Sequence, residues 1–125
     1  MSVSITGLTF TAVNQGTTPN SGYVCFIGSG TYTLVDFSIT PEDGLGFRPS
    51  KVRVCDLTNR NETMGFFGTG VTALNTTGLK TVAAGTRTYA AHGITVETDE
   101  IKVTIDESVA GPIADNSVFV IECWA

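Results

Sequence analysis

The run Gly46-Phe47-Arg48-Pro49-Ser50-Lys51-Val52-Arg53-Val54 decides the fold class, because it holds a turn, a strand start and a two-faced strand in one short stretch. Pro49 fixes its own φ and biases Arg48 toward extended backbone, so a strand can begin directly after it. Beyond Ser50 the side chains alternate, Val52 and Val54 to one face, Lys51 and Arg53 to the other. A period of two with apolar residues on one side only is the pattern of a half-buried strand.

The same signal recurs on both sides of this run, punctuated by Gly, Pro, Asn and Asp. Val3 to Val13 reads as a strand whose inward set changes parity between Ile5 and Leu8 at Gly7, the mark of a bulge or of a bend in an arm. Gln15 to Gly22 is a polar loop around Pro19. Tyr23 to Ile27 is apolar on both faces, which predicts a central strand covered twice or an interface strand. Thr31 to Ile39 predicts a half-buried strand with Val35, Phe37 and Ile39 on one side and Asp36 and Ser38 on the other. Met64 to Phe67 is short and apolar, Gly85 to Ala91 alternates, and Glu97-Thr98-Asp99-Glu100 is a polar hairpin tip between Val96 and Ile101. Val118 to Trp124 closes the chain as a buried strand. Short strands at this spacing predict one all-β domain over residues 1–125, an antiparallel β-sandwich or barrel in which residues 1–22 form an extended N-terminal arm and loop.

Composition narrows the function. A chain of 125 residues with 42% hydrophobic and only 15% charged residues can bury one core and is not disordered. The net charge of −5 lacks the broad positive field that nucleic acid or an anionic membrane surface demands, so neither is an expected partner. The sequence shows no leader signature and no apolar run long enough to span a bilayer. Cys25, Cys55 and Cys123 are odd in number and sit in apolar runs, which predicts free, buried thiols in a reducing compartment.

Candidate chemistry is sparse. His92, between Ala91 and Gly93, reads as a turn or surface histidine, with no Gly-x-Ser-x-Gly elbow to pair with. With one His in the chain, no zinc set can be assembled from a motif. The carboxylates at Glu42-Asp43, Glu97-Asp99-Glu100 and Asp106-Glu107 fall at turns, and the second group lacks the spacing and glycine of a calcium loop. Gly28-Ser29-Gly30-Thr31 lacks the helix start and the Lys of a phosphate cradle and reads as a turn. No catalytic residue, cofactor or metal is expected.

Surfaces are more telling. Arg48, Lys51 and Arg53 bring three of the seven cations together, as a solvated strand face or a contact for an acidic partner. Trp124, one residue from the last, is either core or subunit interface. The N-terminal residues Val3, Ile5, Leu8 and Phe10 could pair within the domain or reach a neighbouring sheet edge.

The succession Gly46 to Val54, then Leu57-Thr58-Asn59-Arg60, then Leu79-Lys80-Thr81-Val82-Ala83-Ala84-Gly85-Thr86-Arg87-Thr88 resembles a family of small structural proteins of tailed bacteriophages, usually encoded beside the major capsid protein. The likeness spans roughly Gly44 to Ile105 and marks a structural family, so no active residue carries over. Where that family leads one to expect a Trp-rich segment after the Arg60 turn, this chain has Met64-Gly65-Phe66-Phe67. The resemblance implies a capsid decoration (cement) protein of the virion exterior, made in the host cytoplasm. Its implied partners are the major capsid protein and itself, as a homodimer or homotrimer. Val3, Ile5, Leu8, Phe10, Arg48, Lys51, Arg53 and Trp124 are then the candidate contacts. A tail-tube, head-fibre or connector component is the alternative, and a carbohydrate-binding β-sandwich is another; the latter would need Tyr23, Tyr32 and Tyr89 coplanar on one open face.

Overall fold

The computed structural model of the protein describes residues 3–13, 22–68, 72–110 and 112–125, and its strands follow the period-two segments of the sequence. In chain order they are β1 (Leu8–Ala12), β2 (Tyr23–Gly30), β3 (Phe37–Ile39), β4 (Lys51–Asp56), β5 (Asn61–Phe66), β6 (Thr77–Thr81), β7 (Arg87–Ala91), β8 (Ile94–Val96), β9 (Val103–Ile105) and β10 (Phe119–Trp124). A single turn of helix, α1 (Glu107–Ala110), precedes the last strand. Seven strands form one antiparallel sheet in the order β1-β2-β10-β4-β5-β6-β7, and β3-β9-β8 form a second that packs on it as a sandwich. The architecture is therefore all-β, as the spacing of the strand signals predicts.

The centre of the large sheet is where burial alternates most cleanly. On β4, Val52 and Val54 are fully buried while Lys51 and Arg53 lie on the outer side. On β10, Phe119, Ile121 and Cys123 are fully buried while Val120, Glu122 and Trp124 face out. Between the sheets the rings of Phe10, Phe26, Phe37 and Phe119 cluster, with Phe10 stacked on Phe26 at 5.3 Å and edge-on to Phe37 at 6.0 Å. The Phe119 ring occupies the space over Gly28, where a Cβ would come within 2.2 Å of it, so β2 needs a glycine at that point.

Several expectations change. Gly28-Ser29-Gly30, expected as a turn, extends β2, and the last strand, expected to be buried, is buried on one face only. In Thr31 to Ile39 only Phe37–Ile39 is strand, and Val35 is 53% exposed. Tyr32 and Leu34 are buried in its place, because the amides of Tyr32 and Leu34 donate to the side chains of Asn116 and Asp115 rather than to a strand, and parity resets before Phe37. His92 is a core residue, not a turn or surface one, because it turns inward onto Phe67 over Gly65 and Gly78. The Tyr23 to Ile27 strand is covered on one face only: Val24 and Phe26 enter the core, and Ile27 on the other side is 37% exposed.

The described part of the N-terminal arm, residues 3–13, lies along its own domain. Val3 and Phe10 are buried in the core and Ile5 and Leu8 pack against it. The bend expected at Gly7 is present, with φ +87° and a backbone approach to Thr31 that leaves no room for a Cβ. The remainder of the segment, residues 1–2 and 14–21, lies outside the described residues.

Asp56, at the end of β4, ties three segments together. Its Oδ1 accepts from the Asn59 amide at 3.0 Å, and its Oδ2 accepts from Asn59 Nδ2 at 2.9 Å, the Ala114 amide at 3.0 Å and Ser117 Oγ at 3.0 Å. Burial pushes this carboxyl up, but the four donors outweigh burial and hold it below the usual carboxylate value.

Candidate functional site: the outer face of the large sheet

One face of the seven-stranded sheet carries the core. On the other, among the described residues, no strand of the small sheet and no helix lies over β2, β10 and β4. Register arranges the side chains of this outer face in rows across the strands. The first row runs Tyr23, Trp124, Lys51, Phe66. The second runs Cys25, Glu122, Arg53, Met64, Leu79, Tyr89, and the third Ile27, Val120, Cys55, Glu62, Thr81, Arg87. Most of these are apolar, and several are open to solvent: Ile27 is 37% exposed, Phe66 40% and Tyr89 64%. Scattered exposed apolar residues are ordinary, but a contiguous apolar sheet face marks an interaction surface.

The charges at the centre of this face, Arg53, Glu62 and Glu122, are paired with one another. Arg53 Nη2 meets Glu62 Oε2 at 2.8 Å, and Arg53 Nη1 meets Glu122 Oε1 at 2.7 Å. Glu122 also accepts from the Tyr23 hydroxyl at 2.6 Å. Hydrogen bonding to Arg53 holds Glu62 below the ordinary glutamate value, and burial, then the bond to Glu122, pushes the Tyr23 phenol above its own. The Lys51 ammonium lies 4.5 Å from the Trp124 ring centre and 5.9 Å from that of Phe66, and Tyr23 packs on Trp124 at 5.4 Å. The expected basic face is thus a neutralised one at its centre, because Arg53 sits between two glutamates that sequence spacing did not bring beside it.

The candidate residues separate accordingly. Lys51, Arg53 and Trp124 come together on the outer face. Arg48 does not join them, since its Nε donates to the backbone of Glu97 at the β8–β9 turn. Val3 and Phe10 offer no surface to a second chain, and Ile5 and Leu8 are partly covered. Trp124 is neither core nor fully exposed: it lies half-buried on the open face. The partners that sequence reasoning missed, Glu62, Glu122, Tyr23 and Phe66, could have been found only from cross-strand register.

Other groups are engaged in structure. The amide of Ile94 donates to His92 Nδ1 at 3.0 Å, and burial lowers the imidazole's affinity for a proton, so the ring is neutral. Burial pushes the Cys123 thiol up to about 12 and raises Cys25 and Cys55 as well, the opposite of an activated thiolate. A cleft of about 670 Å³ opens beside Ile5, Tyr32, Val35, Asp115 and Asn116, but Asp115 and Asn116 spend oxygens on neighbouring backbone amides. Glu97, Asp99 and Glu100 bring ligand atoms within 4.8 Å of one another on a solvated turn. Tyr32 is buried, with its hydroxyl donating to the Ser117 carbonyl, so Tyr23, Tyr32 and Tyr89 do not share a face. No helix among the described residues is long and apolar enough to cross a membrane. No protein-family model, characterised protein or solved structure matches this chain.

Proposed function

We propose that this protein is a non-catalytic structural component of a tailed-bacteriophage particle, a capsid decoration protein that binds the outer surface of the major capsid shell. The observation that carries the reading is the open face of the large sheet, apolar in most positions and with its central charges already paired. The sequence resemblance over Gly44 to Ile105 supplies the particle. The engaged state of His92, Asp56 and the three thiols fits a protein whose task is contact rather than turnover.

The physics of such a contact is burial between shell subunits. Seven strands at ~4.8 Å spacing and five or six residues at ~3.3 Å give a face of roughly 29 by 18 Å, about 500 Å² per copy. A standard interface covers about 800 Å² per partner, so one copy makes a modest contact and many copies stabilise the shell together.

Two measurements test the reading. The protein should be present at hundreds of copies in purified particles, by gel densitometry against the capsid band; absence from particles overturns the assignment, and a few copies move it to a connector or fibre. Ile27→Glu, on the open face, should abolish co-sedimentation with shells while circular dichroism stays native. Val35→Glu, at a more exposed site off that face, should leave binding intact. If both variants bind alike, the open face is not the contact.

A further inference from the structure

We infer that β7 is a self-association edge, through which two copies of this chain join in antiparallel register around a twofold axis at Tyr89. The inference rests on the strand's hydrogen-bonding pattern and does not require a shell.

β6 and β7 form the outer hairpin of the large sheet, and β7 is its last strand. The bonds from Val82 N to Thr86 O and from His92 N to Thr76 O fix the alternation between the two strands. Within it Thr88, opposite Lys80, and Ala90, opposite Gly78, bond inward to β6. Arg87, Tyr89 and Ala91 therefore direct their N–H and C=O groups away from the sheet. Among the described residues no hydrogen bond engages these six groups. The strand has no proline, no bulge and no lysine, and a single cation at its first residue; α1 approaches it but bonds to none of these six groups.

A free edge could serve any strand, but this one complements itself. With Tyr89 opposite Tyr89 of a second copy, Arg87 falls opposite Ala91 and Ala91 opposite Arg87, so all three outward residues of each strand find partners. The same register puts the two Arg87 residues four positions apart, about 13 Å along the strand, so like charges do not meet. Shifting the register by two residues leaves groups of each strand unpaired.

The opposite edge is less available. On β1 the alternation set by Val13 N to Cys25 O directs the backbone N–H and C=O groups of Leu8, Phe10 and Ala12 away from β2, but the Leu8 amide already donates to the Ile5 carbonyl in the turn at Gly7. Pairing between β7 edges thus closes a dimer, while β7-to-β1 pairing would generate a ring or filament. An axis perpendicular to the sheet also leaves both outer faces on the same side, doubling the open surface.

The test uses the full chain alone. Light scattering after size exclusion should give twice the 13.1 kDa chain mass at micromolar concentration. Tyr89→Pro removes an amide that points away from β6, so it should give a folded species of one chain mass. In a Cys25→Ser background, Tyr89→Cys should form a disulfide-linked dimer under mild oxidant, since paired Cα atoms about 5.5 Å apart lie within disulfide reach. Thr88→Cys in the same background, which has no self-partner in this register, should cross-link at least tenfold more slowly. A monomer at all concentrations, a larger ring or filament, a dimer that survives Tyr89→Pro, or equal cross-linking at both positions overturns the proposal. None of these outcomes bears on shell binding by the open face, which is read separately by the Ile27→Glu variant.

Discussion

Replacing Asp56 tests whether one carboxylate holds the end of β4, the turn after it and the 112–117 segment in place. The carboxylate accepts from four donors and Asp56 is 1% exposed. In Asp56→Ala the Ser117 hydroxyl, on a residue with 0% exposure, loses its acceptor at a cost of about 1–3 kcal/mol. The donors on the exposed residues Asn59 and Ala114 can recover water, so each of their bonds is worth about 0.5–1.5 kcal/mol. A loss of about 2.5–7.5 kcal/mol follows, which for a domain of this size lowers Tm by about 10–30 °C. Asp56→Asn is the sharper variant. Three of the four donors converge on Oδ2, so the new amide must either face them there or flip and meet the Asn59 amide, and its cost should approach that of alanine. Urea unfolding followed by the fluorescence of Trp124, the single tryptophan, measures both. The folded-state pKa lies below the reference value of 3.8, so the carboxylate's contribution is full above that pH and is lost as pH falls through the folded value. The gap between wild type and Asp56→Asn should therefore be widest near neutrality and narrow below pH ~3.8. An Asp56→Asn protein within 1 kcal/mol of wild type at pH 7 would refute the reasoning.

His92 and Gly78 test the same inner layer from another side. Burial depresses the folded pKa of His92, so its contribution is full above the unfolded value of 6.5 and declines as pH falls below it; His92→Gln should flatten that part of a stability-versus-pH curve measured by urea melts between pH 8 and 5. At Gly78 a Cβ would stand 2.1 Å from the Met64 carbonyl, a backbone atom that cannot move aside, whereas at Gly68 nothing lies within 4 Å. Gly78→Ala should cost about 2–3 kcal/mol in the same melts and Gly68→Ala less than about 0.5, so equal effects would contradict the close β5–β6 approach.

The parts of this fold legible in sequence are those where side-chain period and burial coincide. β4 reads correctly because Val52 and Val54 alternate with Lys51 and Arg53 and meet a packed layer on one side only, whereas β10 reads as a strand but not as a two-faced one, because Val120 and Trp124 are apolar on its outer side. The segment before Phe37 misleads because Tyr32 and Leu34 obtain their backbone bonds from side chains about eighty residues away, which no local pattern encodes. His92 misleads for a related reason. Its neighbours Ala91 and Gly93 suggest a turn, yet the space it fills is made by two glycines on other strands, Gly65 and Gly78. The candidate site was legible as the outward residues Lys51 and Arg53 of β4, with Trp124 left between core and interface, and illegible as an electrostatic unit. Arg53 meets Glu62 across a hairpin and Glu122 across a strand pair from the far end of the chain, so cross-strand register alone turns an apparent basic patch into a balanced one.

That balance bears directly on how the open face can be buried. An isolated cation entering an interface loses its hydration without compensation, and the penalty can exceed what the surrounding apolar contact returns. Arg53 instead carries two carboxylates with it, and Glu122 is further satisfied by the Tyr23 hydroxyl. Lys51 lies over Trp124 and Phe66, where ring faces partly replace water. The polar groups at the centre of the face therefore reach a partner already paired. The flanking Ile27, Val120, Met64, Leu79 and Phe66 can then supply the favourable burial, while the ion pairs restrict which surfaces fit against them. In the proposed contact, a face built of the same apolar residues without the Arg53 cluster would discriminate less between hydrophobic surfaces, because the paired charges exclude any partner surface that cannot accommodate them.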